Sequence, residues 1–148
     1  MTKYLIEKKV NLEYGHNFNR TAMYWCSFYR EIEIMKVLIE AGANINSKTL
    51  TGKTALSRAC DRGYTDIVEC LLKTNKIDLY VVDKQGMTAL HKAVWGSVRD
   101  RLKEDTTVDS NDAPECAQLL LEYGADPNFK DSSGDSPLNL ACITFGIN

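Results

Sequence analysis

The feature that most constrains this chain is a phrase that returns at a fixed interval. Asp83-Lys84-Gln85-Gly86-Met87-Thr88-Ala89-Leu90-His91-Lys92-Ala93 joins a polar, glycine-containing turn directly to a short apolar helix. The same order of residue types runs from Asp131 to Ala141, more loosely from Thr49 to Ala59, and faintly from His16 to Cys26. Its anchor hydroxyls, Thr21, Thr54, Thr88 and Ser136, are separated by 33, 34 and 48 residues, the last being one 33-residue period plus an insertion of 15. A unit this short cannot bury its own apolar face, so such a period predicts a stack in which each unit packs on its neighbours.

A second pattern keeps the same spacing. Glu7, Glu40 and Glu122 each close a Leu/Ile-rich segment, and two of these lead into Ala41-Gly42-Ala43-Asn44-Ile45-Asn46 and Tyr123-Gly124-Ala125-Asp126-Pro127-Asn128. Together with the Thr-x-Leu-His pattern at Thr88 to His91, these endings resemble the ankyrin repeat, a turn plus two helices per unit. The resemblance covers essentially the whole chain. It implies an all-α fold, an ankyrin-repeat α-solenoid of stacked helix-turn-helix units with β-turn or hairpin fingers. A single domain, 1–148, then divides into a partial unit at 1–15, units at 16–48, 49–82 and 83–130, and a partial unit at 131–148. The third full unit carries the insertion, at about 97–111.

In the first unit an inner helix is expected at 21–29 and an outer helix at 31–41, where Ile34, Val37, Leu38 and Ala41 recur on one face. Its turn departs from the family, with His16 in place of Asp and Asn19 in place of Gly, and Asn tolerates a positive φ better than most residues, so the turn can survive. In the second unit, helices at 55–61 and 66–73 lead to an exit, 74–79, that is one residue long and lacks the glycine, so a local bulge is expected. Val94, Val98 and Leu102, four apart, predict that the third inner helix continues with a bend at Gly96 to about Glu104. A polar loop and an outer helix at 114–123, capped by Asp112 with Pro114 in its first turn, would follow. A disordered surface insertion is the alternative. The fourth unit has an inner helix at 137–144 and then stops, leaving Ile143, Phe145 and Ile147 without their usual cover. That fits a piece of a longer protein, an atypical cap, or a surface for self-association.

A net charge of −2 gives no reason to expect a nucleic-acid or anionic-membrane partner. No apolar run approaches a membrane span and the N-terminus lacks a signal peptide's apolar middle, so the expected location is intracellular, cytoplasmic or nuclear. Five cysteines without a Cys-x-x-Cys pair argue against disulfides or a zinc cluster. Cys26, Cys60 and Cys142 fall on small-residue positions of inner helices and Cys70 and Cys116 on apolar positions of outer ones, which reads as reduced core thiols.

Catalysis finds little to stand on, and the chain is read as a non-enzyme without cofactor or metal. Gly52-Lys53-Thr54 ends like a phosphate-binding loop, but such a loop needs a glycine where Ser47 stands, and a preceding strand. His91 has no nucleophile placed beside it by any motif, and His16 is the only other histidine. The resemblance instead gives Thr54, Thr88 and His91 structural roles in tying turns and units together, and Gly52, Gly86 and Gly134 the left-handed turn positions.

Family likeness also implies a protein-binding concave face built from turn tips and the exposed ends of inner helices. Carried onto this chain it comprises Asn17, Phe18, Arg20, Phe28 and Tyr29 from the first unit, and Leu50, Thr51, Lys53, Asp61 and Arg62 from the second. The third contributes Lys84, Gln85, Met87 and Trp95, and the fourth Ser132, Ser133 and Asp135. Aromatic residues and arginines are the types enriched at interface hot spots, so a protein partner is expected, the bland alternative being that Phe28, Tyr29 and Trp95 shield local structure. Asn46 and Asn128 fit the position that an asparaginyl hydroxylase modifies in ankyrin repeats. The function expected is a non-catalytic interaction scaffold or adaptor. The alternative is an ankyrin segment of a larger regulator, channel or modifying enzyme.

Overall fold

The computed structural model describes Tyr4, Glu7, and residues 11–102 and 113–145. Within them the chain forms α1 (Ala22–Tyr29), α2 (Ile32–Glu40), α3 (Ala55–Arg62), α4 (Thr65–Leu72), α5 (Ala89–Leu102), α6 (Ala113–Glu122) and α7 (Pro137–Phe145). Each of the first three units contributes an inner and an outer helix, and the fourth an inner one. The inner helices α1, α3, α5 and α7 pack one on the next, and the outer helices α2, α4 and α6 form a second layer against them. Among the described residues no strand forms; the finger of the first unit is closed by an isolated bridge between His16 and Arg20. Tyr4 and Glu7 are helical, as expected for the tail of an outer helix.

Apolar spacing decides which side of each helix is buried. In α4, Ile67, Val68, Leu71 and Leu72 fall at i, i+1, i+4 and i+5, and all four are fully buried. Each such side chain removed from water contributes about 1.5–3 kcal/mol before entropy is charged against it. Met23, Met35, Leu56, Leu90 and Leu120 continue the same core from unit to unit. Small residues let the inner helices approach, and Ala55, Ala59, Ala89 and Ala93 are buried at that contact. Gly96 belongs to this set: a Cβ there would lie 2.6 Å from the Asp61 carbonyl oxygen. The glycine in the long third inner helix therefore permits close packing of α5 on α3.

Helix ends show where the repeated phrase is imitated by other residues. Gly63 ends α3 with φ +69, and at the equivalent place after α1 the chain uses Arg30, with φ +58. The overlong exit of the second unit is accommodated by Asn75, whose φ of +55 substitutes for the missing glycine, while the Thr74 hydroxyl donates to the Leu71 carbonyl. The expected bulge is thus a single left-handed asparagine. As expected, α5 continues beyond Trp95, to Leu102; the rest of the insertion, and Asp112 as a cap, lie outside the described residues. Pro114 is the second residue of α6.

One expectation is corrected. Cys142 is exposed, whereas Cys26, Cys60 and Cys116 are buried and Cys70 is half-buried. The burial of Cys60 depends on an outer helix and a following unit, and α7 has neither against it among the described residues. For the same reason Leu138 is 56% exposed although its equivalents Met23, Leu56 and Leu90 are buried, and Ile143 is exposed as anticipated. None of the described helices is long and apolar enough to cross a membrane.

Candidate interaction face

Each finger is a tight turn closed by its own main chain. The Gly52, Gly86 and Gly134 amides donate to the carbonyls of Thr49, Asp83 and Asp131, and the amides of those residues donate forward to Lys53, Met87 and Asp135. Three-residue loops of this kind need a left-handed last residue. Gly52 and Gly86 supply it with φ of +79 and +72, and they meet a second demand as well. A Cβ on Gly52 would sit 2.8 Å from Asp83 Cα, and one on Gly86 2.6 Å from the Ser132 nitrogen, so each glycine also makes room for the next finger.

Neighbouring fingers are joined by main-chain bonds. Leu50 donates to the Phe18 carbonyl at 2.8 Å, Lys84 to that of Thr51 at 3.1 Å, and Ser132 to that of Gln85 at 3.0 Å. The turn tips singled out from sequence thereby become one continuous strip. The first finger reaches the same end differently, with Asn17, Phe18 and Asn19 at φ of +44, +66 and +58. Asn19 also donates its side-chain amide to the Lys48 carbonyl.

Side chains brace the fingers from beneath. Asp83 Oδ1 accepts the Gln85 and Met87 amides, and its Oδ2 lies 2.7 Å from Lys92 Nζ in a buried ion pair. Burial alone would push the Asp83 carboxyl up, but the Lys92 hydrogen bond, the two amides and the Lys92 charge together outweigh it and hold it below its ordinary value. Asp131 repeats the amide pattern with Ser133 and Asp135, and Thr49 Oγ1 accepts from Lys53.

The anchors then start the inner helices. Thr54 and Ser57 form a reciprocal capping box, and Ser136 Oγ accepts from the Asn139 amide. At Thr88 the partner is His91: the Thr88 amide donates to Nδ1, which makes Nδ1 the acceptor and leaves Nε2 to donate 3.1 Å to the Asp135 carbonyl of the next finger. Both nitrogens of His91 are consumed, Nδ1 within the third unit and Nε2 in holding it to the fourth. Thr21 lacks a side-chain cap bond and shares a hydroxyl contact with Ser47 instead.

The remaining face residues divide by exposure. Phe18, Tyr29, Leu50 and Trp95 are 63%, 64%, 61% and 43% exposed. Arg62, Lys84, Gln85 and Ser133 are also exposed, while Arg20, Phe28, Lys53, Asp61, Met87 and Asp135 are half-buried. Arg20 lies over the rings of Phe18, Tyr24 and Trp25 at 5.4, 5.8 and 5.2 Å. Phe28 is covered by the Arg58 guanidinium at 4.4 Å, and Arg58 in turn pairs with Asp61. Phe28 and Asp61 are therefore engaged in the junction between the first two units.

Sequence reasoning overlooked Trp25 and Arg58. Trp25 stacks on Tyr29 with centroids 5.7 Å apart. Trp25, Arg58 and Lys92 all stand four residues after an anchor, and a long side chain at that place in each of the first three units was the signal. Arg30 was missed too; it stacks on Tyr64 and pairs with Asp66. On the opposite side, Asn46 is used as a staple, donating to the Lys76 carbonyl and accepting from the Asp78 amide, whereas Asn128 is exposed.

Little reactive chemistry is assembled here. The Gly52 and Lys53 amides, which a phosphate would need, are already bonded to Thr49. Burial, then the Glu31 charge, pushes the Cys26 thiol up to about 11, and burial raises Cys60 and Cys70 as well, so these thiols stay protonated at neutral pH. Among the described residues no group of three or more His, Cys, Asp or Glu is placed to hold a metal.

Comparison with known proteins points one way. A family model of three tandem ankyrin repeats matches residues 45–102, and a model of the single ankyrin repeat matches 18–50 and 85–132. An ankyrin repeat protein of Acanthamoeba polyphaga mimivirus is 29% identical over 94% of this chain, which covers 16% of that protein. The ANK repeat-containing protein nipk-1 of Caenorhabditis elegans is 30% identical over 80% of the chain and 19% of its own length. The ankyrin repeat protein YahD of Escherichia coli is 30% identical over 75% of the chain and 50% of its own length. The chain spans half or less of each of these relatives.

Proposed function

The chain belongs to the ankyrin-repeat family, and from that membership we propose that it is a non-catalytic interaction module that recognises a protein partner through its finger and inner-helix face. One observation carries the reading. The recurring turn and anchor positions of the repeat are consumed internally by capping and inter-unit bonds, while Phe18, Tyr29, Leu50 and Trp95, at the tip and helix-end positions, remain exposed on elements tied together by main-chain bonds. Large side chains held on a rigid support lose little entropy on binding, which is what an interface anchor requires.

The test is capture from cell lysate by wild type and by a Leu50→Ala/Arg62→Ala/Trp95→Ala variant, all three positions being exposed. A protein retained by wild type and lost by the variant, with both chains folded by circular dichroism, supports the face. Identical capture profiles move recognition elsewhere.

A second reading is that the chain is one segment of a larger polypeptide whose activity lies outside it. It is favoured by the small share of its relatives that it covers and by the exposed Leu138, Cys142 and Ile143 of α7. That surface also suits self-association. Further 33-residue periods in the transcript would support the segment, and a concentration-dependent mass in sedimentation the assembly.

A further inference from the structure

The near-neutral total hides a segregation of charge between the two layers. The outer helices α2, α4 and α6 carry six carboxylates and one lysine. The fingers and inner helices of the first three units invert this. Up to Gly96, six cations stand there, Arg20, Lys53, Arg58, Arg62, Lys84 and Lys92, against the carboxylates Asp61 and Asp83, and the remainder of α5 adds Arg99, Asp100 and Arg101. Asp61 and Asp83 are already paired, with Arg58 and Lys92. Among the described residues none of Arg20, Lys53, Arg62 and Lys84 has a carboxylate within ion-pairing distance.

We propose that this face takes an acidic peptide segment whose carboxylates alternate with apolar side chains, a specification that rests on the interaction reading above. The four unpaired cations sit at finger and helix-end positions of three successive units, and the apolar side chains of Phe18, Leu50 and Trp95 stand exposed at neighbouring positions. A ligand must therefore offer both kinds of group in turn. Burial, followed by the charge of Arg62, lowers the Arg58 guanidinium. The acidic outer layer repels a long polyanion, whereas a short peptide meets only the basic side. Isolated cations broken by apolar residues also fall short of the phosphate-tracking groove that nucleic acid binding relies on. In the fourth finger the sign turns, with Asp131 and Asp135, so the acidic portion of the peptide lies over the first three units.

Random peptides displayed on phage and selected on the folded chain test this directly. Synthetic copies of the selected sequences, and a single-stranded oligonucleotide, are then titrated by fluorescence anisotropy. The targets are wild type, an Arg62→Glu/Lys84→Glu variant and a Leu50→Ala/Trp95→Ala variant, with folding checked by circular dichroism. The expected selection is rich in Asp and Glu between apolar residues, weakened by added salt and weakened about tenfold or more by the double charge reversal. Neutral or basic peptides that lose binding only to the Leu50/Trp95 variant overturn the acidic specification and leave the interaction face standing. Peptides that bind all three targets equally, or no selection at all, overturn both. An oligonucleotide held more tightly than any peptide, and released by the charge reversal, replaces the proposal with nucleic acid.

Discussion

In the third unit, Thr88 is matched by His91, Asp83 by Lys92, and the turn by Gly86, so that the buried polar groups of the finger are used. In the first unit, Thr21 has no cap bond, His16 stands where Asp would brace the turn, and three non-glycine residues of that turn take positive φ. What fills the gap is aromatic. Tyr24, Trp25, Phe28 and Tyr29 pack on one another, with Arg20 and Arg58 laid over their rings. Two units can thus share a backbone while one is held by buried hydrogen bonds and the other by ring and guanidinium contacts. The second solution leaves more apolar surface facing outward, which is useful for recognition and costly for stability.

This contrast should appear first as unequal tolerance to truncation. Lys92→Ala strands the Asp83 carboxylate in the interior, and should lower the unfolding free energy by about 3–5 kcal/mol in urea titrations. The same pair makes an acid-dependent contribution. Asp83 titrates lower folded than unfolded, so its stabilisation is complete above its ordinary value of 3.8 and is lost as pH falls through the folded value. Asp83→Asn should flatten that part of the acid unfolding curve; an unchanged curve would remove the ion pair from the comparison.

His91→Ala comes next, at about 2–4 kcal/mol, because the Thr88 amide loses its acceptor, the Asp135 carbonyl loses one of its two donors and a buried space opens. Thr88→Ala and Thr21→Ala sharpen the contrast at a single position. The former should cost about 1–2 kcal/mol as a lost buried bond to His91 Nδ1 and the latter about 0.5 kcal/mol as a lost hydroxyl contact. Equal costs at the two anchors would break it. The smallest effect is expected for Asn19→Gly, where relief of a left-handed asparagine is offset by loss of its bond to Lys48, leaving about 0.5 kcal/mol or less.

Most helix positions were legible because apolar spacing and burial are two statements of one fact. The expected second outer helix, 66–73, differs by one residue at each end from Thr65–Leu72. The anchors were legible for a related reason, since a hydroxyl followed three residues later by a polar side chain can cap the helix it begins. Contacts between units were not. Whether Arg58 reaches back to Phe28 while Lys92 reaches its own finger is set by rotamer and stacking geometry at equivalent positions. The exposure of Cys142 escaped notice because a position's burial in one unit was carried to another that lacks the covering helix. Gly96 was read locally, as a bend, although its reason lies 35 residues back at Asp61.

The staples that join one unit to the next also bear on how the chain folds. Arg30 to Asp66 spans 36 residues, Asn46 to Asp78 spans 32 and His91 to Asp135 spans 44. Each closes a loop of roughly one period, and closure entropy for such loops is modest. Assembly can therefore nucleate where inner helices pack most extensively, α3 on α5, and spread outward in steps. Pulled from its ends, the same chain would yield in the reverse order, its aromatic first unit giving way before the hydrogen-bonded centre.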